Sequence, residues 1–262
     1  MNIAVLGAGN MAWHLSKALI HAGHPVKQIW NRTADKAVAL ALEIGADSIT
    51  NLNQIDIDID LIIIAVSDEA IASVAKELKL LPQQLLVHTS GSTALDVLLP
   101  FTQKAGVIYP LQTFSKAVEL DFSQIPIGIE AFDESSTQAL FNLAKALSTK
   151  TYYINSQQRL ILHTSAVFAC NFTNHFYSIA QALMQQSGLD FNLIRPLIQE
   201  TAAKVQQVLP SEAQTGPAKR NDQLTIQKHL DLLQTNTAWK LLYEQISQDI
   251  VKMYAKDTSS LK

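Results

Sequence analysis

Cysteine is nearly absent from this 262-residue chain, with Cys170 standing alone. No disulfide can form within one chain, and a four-cysteine zinc site cannot be built. A lone thiol fits a reducing compartment, so a cytoplasmic location is expected. Long apolar runs are also missing. None is longer than six residues, the length of Leu61–Val66, against the roughly 20 that a membrane-spanning helix needs. There is no excess of positive charge. Lys and Arg number 20, Asp and Glu 23, and the net charge is −3 with no basic run, so neither nucleic acid nor a membrane surface is an expected partner. The first apolar run starts at Ile3, and no signal peptide is expected before it. What is present is a globular composition, 48% hydrophobic and 16% charged, long enough for one large domain or two modest ones.

The pattern along the chain changes once. Up to about residue 154, short apolar runs alternate with helical spacing. Ile3–Leu6, Val26–Trp30, Asp47–Thr50, Asp60–Val66, Leu85–His88, Gly106–Tyr109, Ile127–Ala131 and Thr151–Ile154 read as strands. Asn10–Ala22, Ala34–Ile44, Glu69–Leu78 and Ser135–Leu147 read as helices. That alternation predicts an α/β fold with a doubly wound, mainly parallel sheet. From Ser156 onward no strand pattern is found. Asn155 and Gln158 form a capping-box pattern before a long helical stretch to about Ser187, and Gly188 breaks it. Helices are expected over Asn192–Leu209, Thr225–Leu233 and Thr237–Ala255, with a loop at Pro210–Asp222. The expected domains are 1–154, α/β, and 155–262, all-α.

Gly7-x-Gly9-x-x-Ala12 lies between the first strand and the first helix. Gly7 permits a tight turn, Gly9 lets backbone approach a ligand's phosphates, and Ala12 lets helix and strand pack closely. The helix start supplies free amides to an anion. Gly7, Ala8, Gly9, Asn10 and Met11 are therefore expected to bind a dinucleotide. At the end of the second strand, NAD-binding folds carry an acidic residue for the ribose hydroxyls. Here stand Asn31, Arg32 and Thr33: an uncharged amide, a forked cation and a hydroxyl, which suit a 2′-phosphate and point to NADP(H).

GAGNMA, NRT and IIIAVSDEAI together resemble the Rossmann domains of pyrroline-5-carboxylate reductases and deazaflavin-dependent NADP oxidoreductases. With LLVHTSGS, GVIYPLQTFS, HTSAVFACNFTNHF and TGPAKRND, nearly the whole chain resembles a bacterial family described as a Rossmann-like domain followed by a C-terminal domain of unknown function. The resemblance implies an NADP-binding domain and a helical second domain similar to the C-terminal part of 6-phosphogluconate dehydrogenase. It also implies homodimerisation through that second domain. It does not imply a substrate.

The loop Ala65, Val66, Ser67 ends the fourth strand and by resemblance lies along the cofactor; Ser67 and Asp68 equally fit an N-cap. His88, Thr89 and Ser90 end the fifth strand, a hydroxyl-rich turn able to bind a polar end of a substrate or to cap the next turn. Gln112 belongs to a second polar loop, Tyr109–Thr113, read as a wall of the site. On the long helix, His163 and Asn171 lie eight residues apart, about 80° around at 100° per residue. Related hydroxyacid dehydrogenases carry a lysine four residues before the asparagine; here Val167 holds that place. His163 is the replacement acid/base, or a histidine bonded within a helix bundle. Asn171 orients a substrate or bridges helices. His163 and His175 have no carboxylate at ligand spacing, and no metal is expected. Arg220, in TGPAKRND, either clamps a substrate carboxylate or forms a surface pair. The expected activity is hydride transfer between NADP(H) and a small imine or carbonyl compound held between the domains, with His163, Asn171 and Ser90 catalytic. The alternative is a non-catalytic NADP(H) sensor or regulatory protein.

Overall fold

The inner strands are apolar at nearly every position because both of their faces are covered. In β1 (Ile3–Leu6), Ile3 and Val5 belong to one core cluster, Ala4 and Leu6 to another. β4 (Leu61–Ile64) and β5 (Leu85–His88) divide in the same way. Leu15 and Leu19 of α1 (Asn10–His21), Leu40 of α2 (Ala34–Ile44) and Leu140 and Leu143 of α4 (Glu134–Leu147) cover the first face. Ile71 and Val74 of α3 (Ile71–Glu77), with Leu52, Leu95 and Leu98, cover the second. Each such side chain contributes about 1.5–3 kcal/mol by burial.

With β2 (Val26–Trp30), β3 (Asp47–Ile49), β6 (Ala105–Pro110), β7 (Ile127–Ala131) and β8 (Thr151–Tyr153), the computed structural model, which describes residues 1–255, forms one sheet in the order β3-β2-β1-β4-β5-β6-β7-β8. The strand order reverses between β1 and β4, the switch point where such sheets bind ligands beyond the strand ends. Every neighbouring pair is parallel except β6 and β7. No α-helix crosses over between those two strands. A short 3-10 turn at Phe122–Gln124 is the helical piece of the connection, and the chain returns beside β6 in the opposite direction.

The capping box forms as expected: Asn155 accepts from Gln158 N–H and Gln158 accepts from Asn155 N–H. It opens α5 (Ser156–Ala166), which passes through a π-helical segment, Val167–Phe172, into α6 (Thr173–Gln186). The next helix, α7, covers Arg195–Lys204 and does not reach Leu209. Pro210 opens a short helix, α8 (Pro210–Ala213), inside the expected loop, because proline is preorganised for a first helical position. α9 (Gln223–Leu232) and α10 (Thr237–Tyr254) complete the described residues. None of their helices is long and apolar enough to cross a membrane.

Contacts divide the chain into two compact units, Met1–Asn171 and Phe172–Lys262, so α5 belongs with the sheet. The second unit has a small core of Ala218, Ile226 and Leu230, with Tyr243, Ile250 and Val251 against it.

Candidate active site

Gly7 follows β1 with φ +133°, a conformation that side chains disfavour, and a Cβ there would lie 2.2 Å from the Ala65 carbonyl oxygen. Its N–H donates to Trp30 O at 2.7 Å. Gly7 therefore shapes the turn and does not itself offer a donor to a ligand. Ala8 is buried, and its N–H donates to Asn31 Oδ1 at 3.2 Å. Asn31 Nδ2 in turn donates to Thr33 O at 2.9 Å. The asparagine that replaces the usual carboxylate thus braces the glycine turn against the end of β2. A Cβ on Gly9 would meet nothing within 4 Å. No protein atom demands glycine there, so the open space before α1 fits an approaching phosphate.

Beyond this turn opens a cavity of about 1210 Å³, lined entirely by residues of the first unit. Gly9, Asn10 and Met11 line it, as do Ala65, Val66 and Ser67. At one side stand Arg32, Thr33 and Lys36. Thr33 occupies the N-cap position of α2 with no side-chain capping bond. Two cations, a free hydroxyl and a helix start suit a phosphate monoester. Lys36 was not anticipated, although its place in the first turn of the helix after NRT was a usable signal. Asn10 Nδ2 donates to Phe114 O at 3.0 Å and His14 Nε2 to Ser115 O at 2.9 Å, which ties a strap over the start of α1.

The rest of the lining includes Asp68, Thr89, Ser90, Gly91, Tyr109, Gln112, His163 and Asn171. Tyr109 sits at the end of β6, and its Oη lies 3.1 Å from His163 Nδ1. The rings meet edge to face at 6.1 Å. Burial pushes the Tyr109 phenol up, with the Arg159 guanidinium opposing. Gly91 is wedged against both rings: a Cβ would come within 2.6 Å of His163 Nδ1 and 2.9 Å of Tyr109 Cε2. Sequence reasoning treated Tyr109 as part of a wall.

One expected contact, His88, is corrected, and several other polar residues of the site are bonded within the protein. His88 is fully buried and does not line the cavity. Its Nδ1 accepts from Ser90 N–H at 3.1 Å, so it supports the loop. Burial, then the nearby Arg159 charge, hold its pKa at about 4. Ser90 lines the cavity, but its Oγ accepts from Ser92 N–H and Thr93 N–H and bonds Thr93 Oγ1, so it organises the turn. Thr89 Oγ1 donates to Ile64 O at 3.4 Å, and Gln112 Oε1 accepts from Thr113 N–H. Ser67 makes no side-chain cap, while Asp68 accepts from the Ser92 hydroxyl. Arg220 is an exposed residue of the second unit, and its neighbour Asp222 caps α9 through Thr225 N–H at 3.1 Å.

One residue that sequence reasoning missed organises this loop. Arg159, 1% exposed, lies one helical turn before His163. Its guanidinium pairs with Glu130 of β7 and donates to Ser90 O at 3.1 Å, to Thr93 O and to Ser156 Oγ. Ser156 N–H and Oγ–H also donate to Glu130. The node locks α5 to the ends of β5 and β7.

A glycine turn at the switch point, a phosphate-suited rim and a hydrogen-bonded tyrosine–histidine pair on one cavity fit a dinucleotide-dependent oxidoreductase of the Rossmann class. The family model for NADP oxidoreductases, coenzyme F420-dependent, matches residues 2–91, and that for a domain of unknown function, DUF2520, matches residues 125–250. The crystal structure of a proposed NADP oxidoreductase from Bacteroides fragilis is 38% identical, with a TM-score of 0.88 over 96% of this chain and 98% of that one. The chain belongs to this family of NADP oxidoreductases. A protein from Thermotoga maritima (24% identity, TM-score 0.72, 97% and 99% coverage) and an imine reductase from Streptomyces aurantiacus (18%, 0.72, 99% and 98%) share the fold. No curated protein matches the sequence.

Proposed function

We propose that this protein reduces a small imine or carbonyl compound with NADPH in the cavity of the first unit. The observation that carries the reading is the continuity of that cavity from Arg32, Thr33 and Lys36 to Tyr109 and His163. The first three suit the 2′-phosphate, and the Gly9–Met11 backbone suits the diphosphate. When bound, the cofactor supplies a hydride to the substrate carbon. His163 moves the proton, Asn171 holds a polar group of the substrate, and the Thr89–Gly91 turn forms the floor. Imine reductases with NADP+ or NADPH bound are among the proteins of this fold, which supports including imines in the substrate class.

A homodimer built through the helical unit is supported by large apolar side chains left more than half exposed there, among them Leu193, Leu197, Leu209, Leu224 and Met253. A cytoplasmic location rests on the lone thiol, Cys170, exposed on the π-helical turn.

Titration with NADPH and NADH, followed by nicotinamide fluorescence at fixed salt, tests the reading. A charge-assisted contact of about 1.5–3 kcal/mol gives roughly 10–150-fold preference for NADPH. Arg32→Ala should remove most of it. Binding of neither nucleotide would sink the proposal, and tight NADH binding indifferent to Arg32 would sink the phosphate site.

A further inference from the structure

Several hydroxyls and one carboxylate of this cavity and of the helix that carries His163 are already engaged. Ser90 is held by Thr93 and two backbone amides, Thr89 by Ile64 O, Asp68 by Ser92, and Ser165 by Ile161 O. Asn171 has no acidic proton to give. The Tyr109 hydroxyl bonds the ring nitrogen of a second cavity-lining residue, and both rings close on Gly91, where a Cβ would strike them.

We propose that Tyr109 is the proton donor of this site and that His163 acts through it. The inference rests on the cavity being a reductase site, as above. As hydride reaches the substrate carbon, the C=N or C=O π pair moves onto nitrogen or oxygen. That atom takes the proton from Tyr109 Oη: the phenol O–H breaks and the new N–H or O–H forms. His163 Nδ1–H passes its proton to the phenolate, which restores the phenol, while Nε2 of the partly exposed imidazole takes up a proton from solvent in the same step, so the ring stays neutral throughout. Tyr109 is only 8% exposed and so needs such an intermediary. The overall balance is one hydride from the reduced nicotinamide and one proton from solvent.

The division of labour explains why the loop carries glycine at position 91. Any side chain there would push the His163 ring off the phenol. It also divides the acid/base role read from the sequence for His163: Tyr109 meets the substrate and His163 exchanges with solvent.

The test starts without cofactor. In 15N-histidine NMR of the free protein, Tyr109→Phe should shift the His163 ring nitrogens; an unchanged spectrum would overturn the pair. NADPH titration of the same variant should match wild type. With NADPH bound, single-turnover reduction of a simple cyclic imine should fall by about 10²–10⁴-fold in Tyr109→Phe. His163→Ala should add little to that loss, since the two act in series. If wild type fails to bind NADPH, the reading of the cavity fails and the donor assignment goes with it. If NADPH binds and Tyr109→Phe reduces the imine at the wild-type rate, the donor assignment alone is overturned. Full additivity of the two substitutions would also overturn it.

Discussion

Replacing Glu130 by alanine strands a buried cation. Arg159 is 1% exposed, and its partner's side chain only 17%. Breaking such a pair from one side typically costs about 3–5 kcal/mol, because the remaining charge has lost its counterion without regaining water. Here the guanidinium keeps Ser90 O, Thr93 O and Ser156 Oγ as acceptors, so the lower end, about 3 kcal/mol, is expected. Ser156 also loses the acceptor for its N–H at the start of α5. Arg159→Met removes the charge and leaves two loop carbonyls and the carboxylate short of a donor, at similar cost. In the double variant no charge is stranded, so its loss should fall well below the sum, with a coupling of about 1–3 kcal/mol. Urea unfolding followed by tryptophan fluorescence reads this, since Trp13 and Trp30 lie in the first unit. A loss under about 1 kcal/mol for Glu130→Ala, or strict additivity, would mean that the node is hydrated and that something else positions α5.

Three further outcomes follow from the same geometry. His88 titrates at about 4 in the folded chain against 6.5 unfolded. Below pH 6.5 the unfolded chain binds the proton first, so stability should fall between pH 6.5 and 4 by up to about 3 kcal/mol and be flat above; His88→Gln should flatten that slope in urea midpoints measured across pH. Gly91→Ala should fold at a cost of about 1–3 kcal/mol yet separate Tyr109 from His163, visible as the same histidine NMR change that Tyr109→Phe produces. Gly7→Ala meets backbone at Ala65, not a mobile side chain; a loss of about 3 kcal/mol or more is expected, and a thermal melt within a degree or two of wild type would refute the account of the turn.

The fold was largely legible because a two-sided sheet writes itself as unbroken apolar runs, and Leu61–Ile64 and Leu85–Val87 are of that kind. The direction of β7 was not, since periodicity shows which face a residue takes and not which way the strand runs. The glycine turn and the arginine at its rim could be read because they are local. Asn31 was singled out for lacking a charge, while its role, bonding Ala8 N–H, depends on a partner 23 residues away. Tyr109 and His163 are separated by 54 positions and Arg159 and Ser90 by 69; no local pattern joins them. The usable hint for Tyr109 was its place at a strand's carboxyl end, where a hydroxyl-bearing aromatic faces the ligand side of the sheet.

The strap that Asn10 and His14 hold down comes from 104 and 101 residues further along the chain. The matched nucleotide-binding segment, residues 2–91, therefore contains the glycine turn but not its cover. It also lacks Glu130 and Arg159, which hold the loop after β5. A chain emerging from the ribosome would have β1 to β5 in hand well before the phosphate turn gained its lid. Such non-local closure is slow to form. The proposed cofactor cavity is consequently not a detachable module: cutting or transplanting the chain at residue 91 would carry the glycine motif and leave behind Tyr109, Phe114 and His163 of its wall.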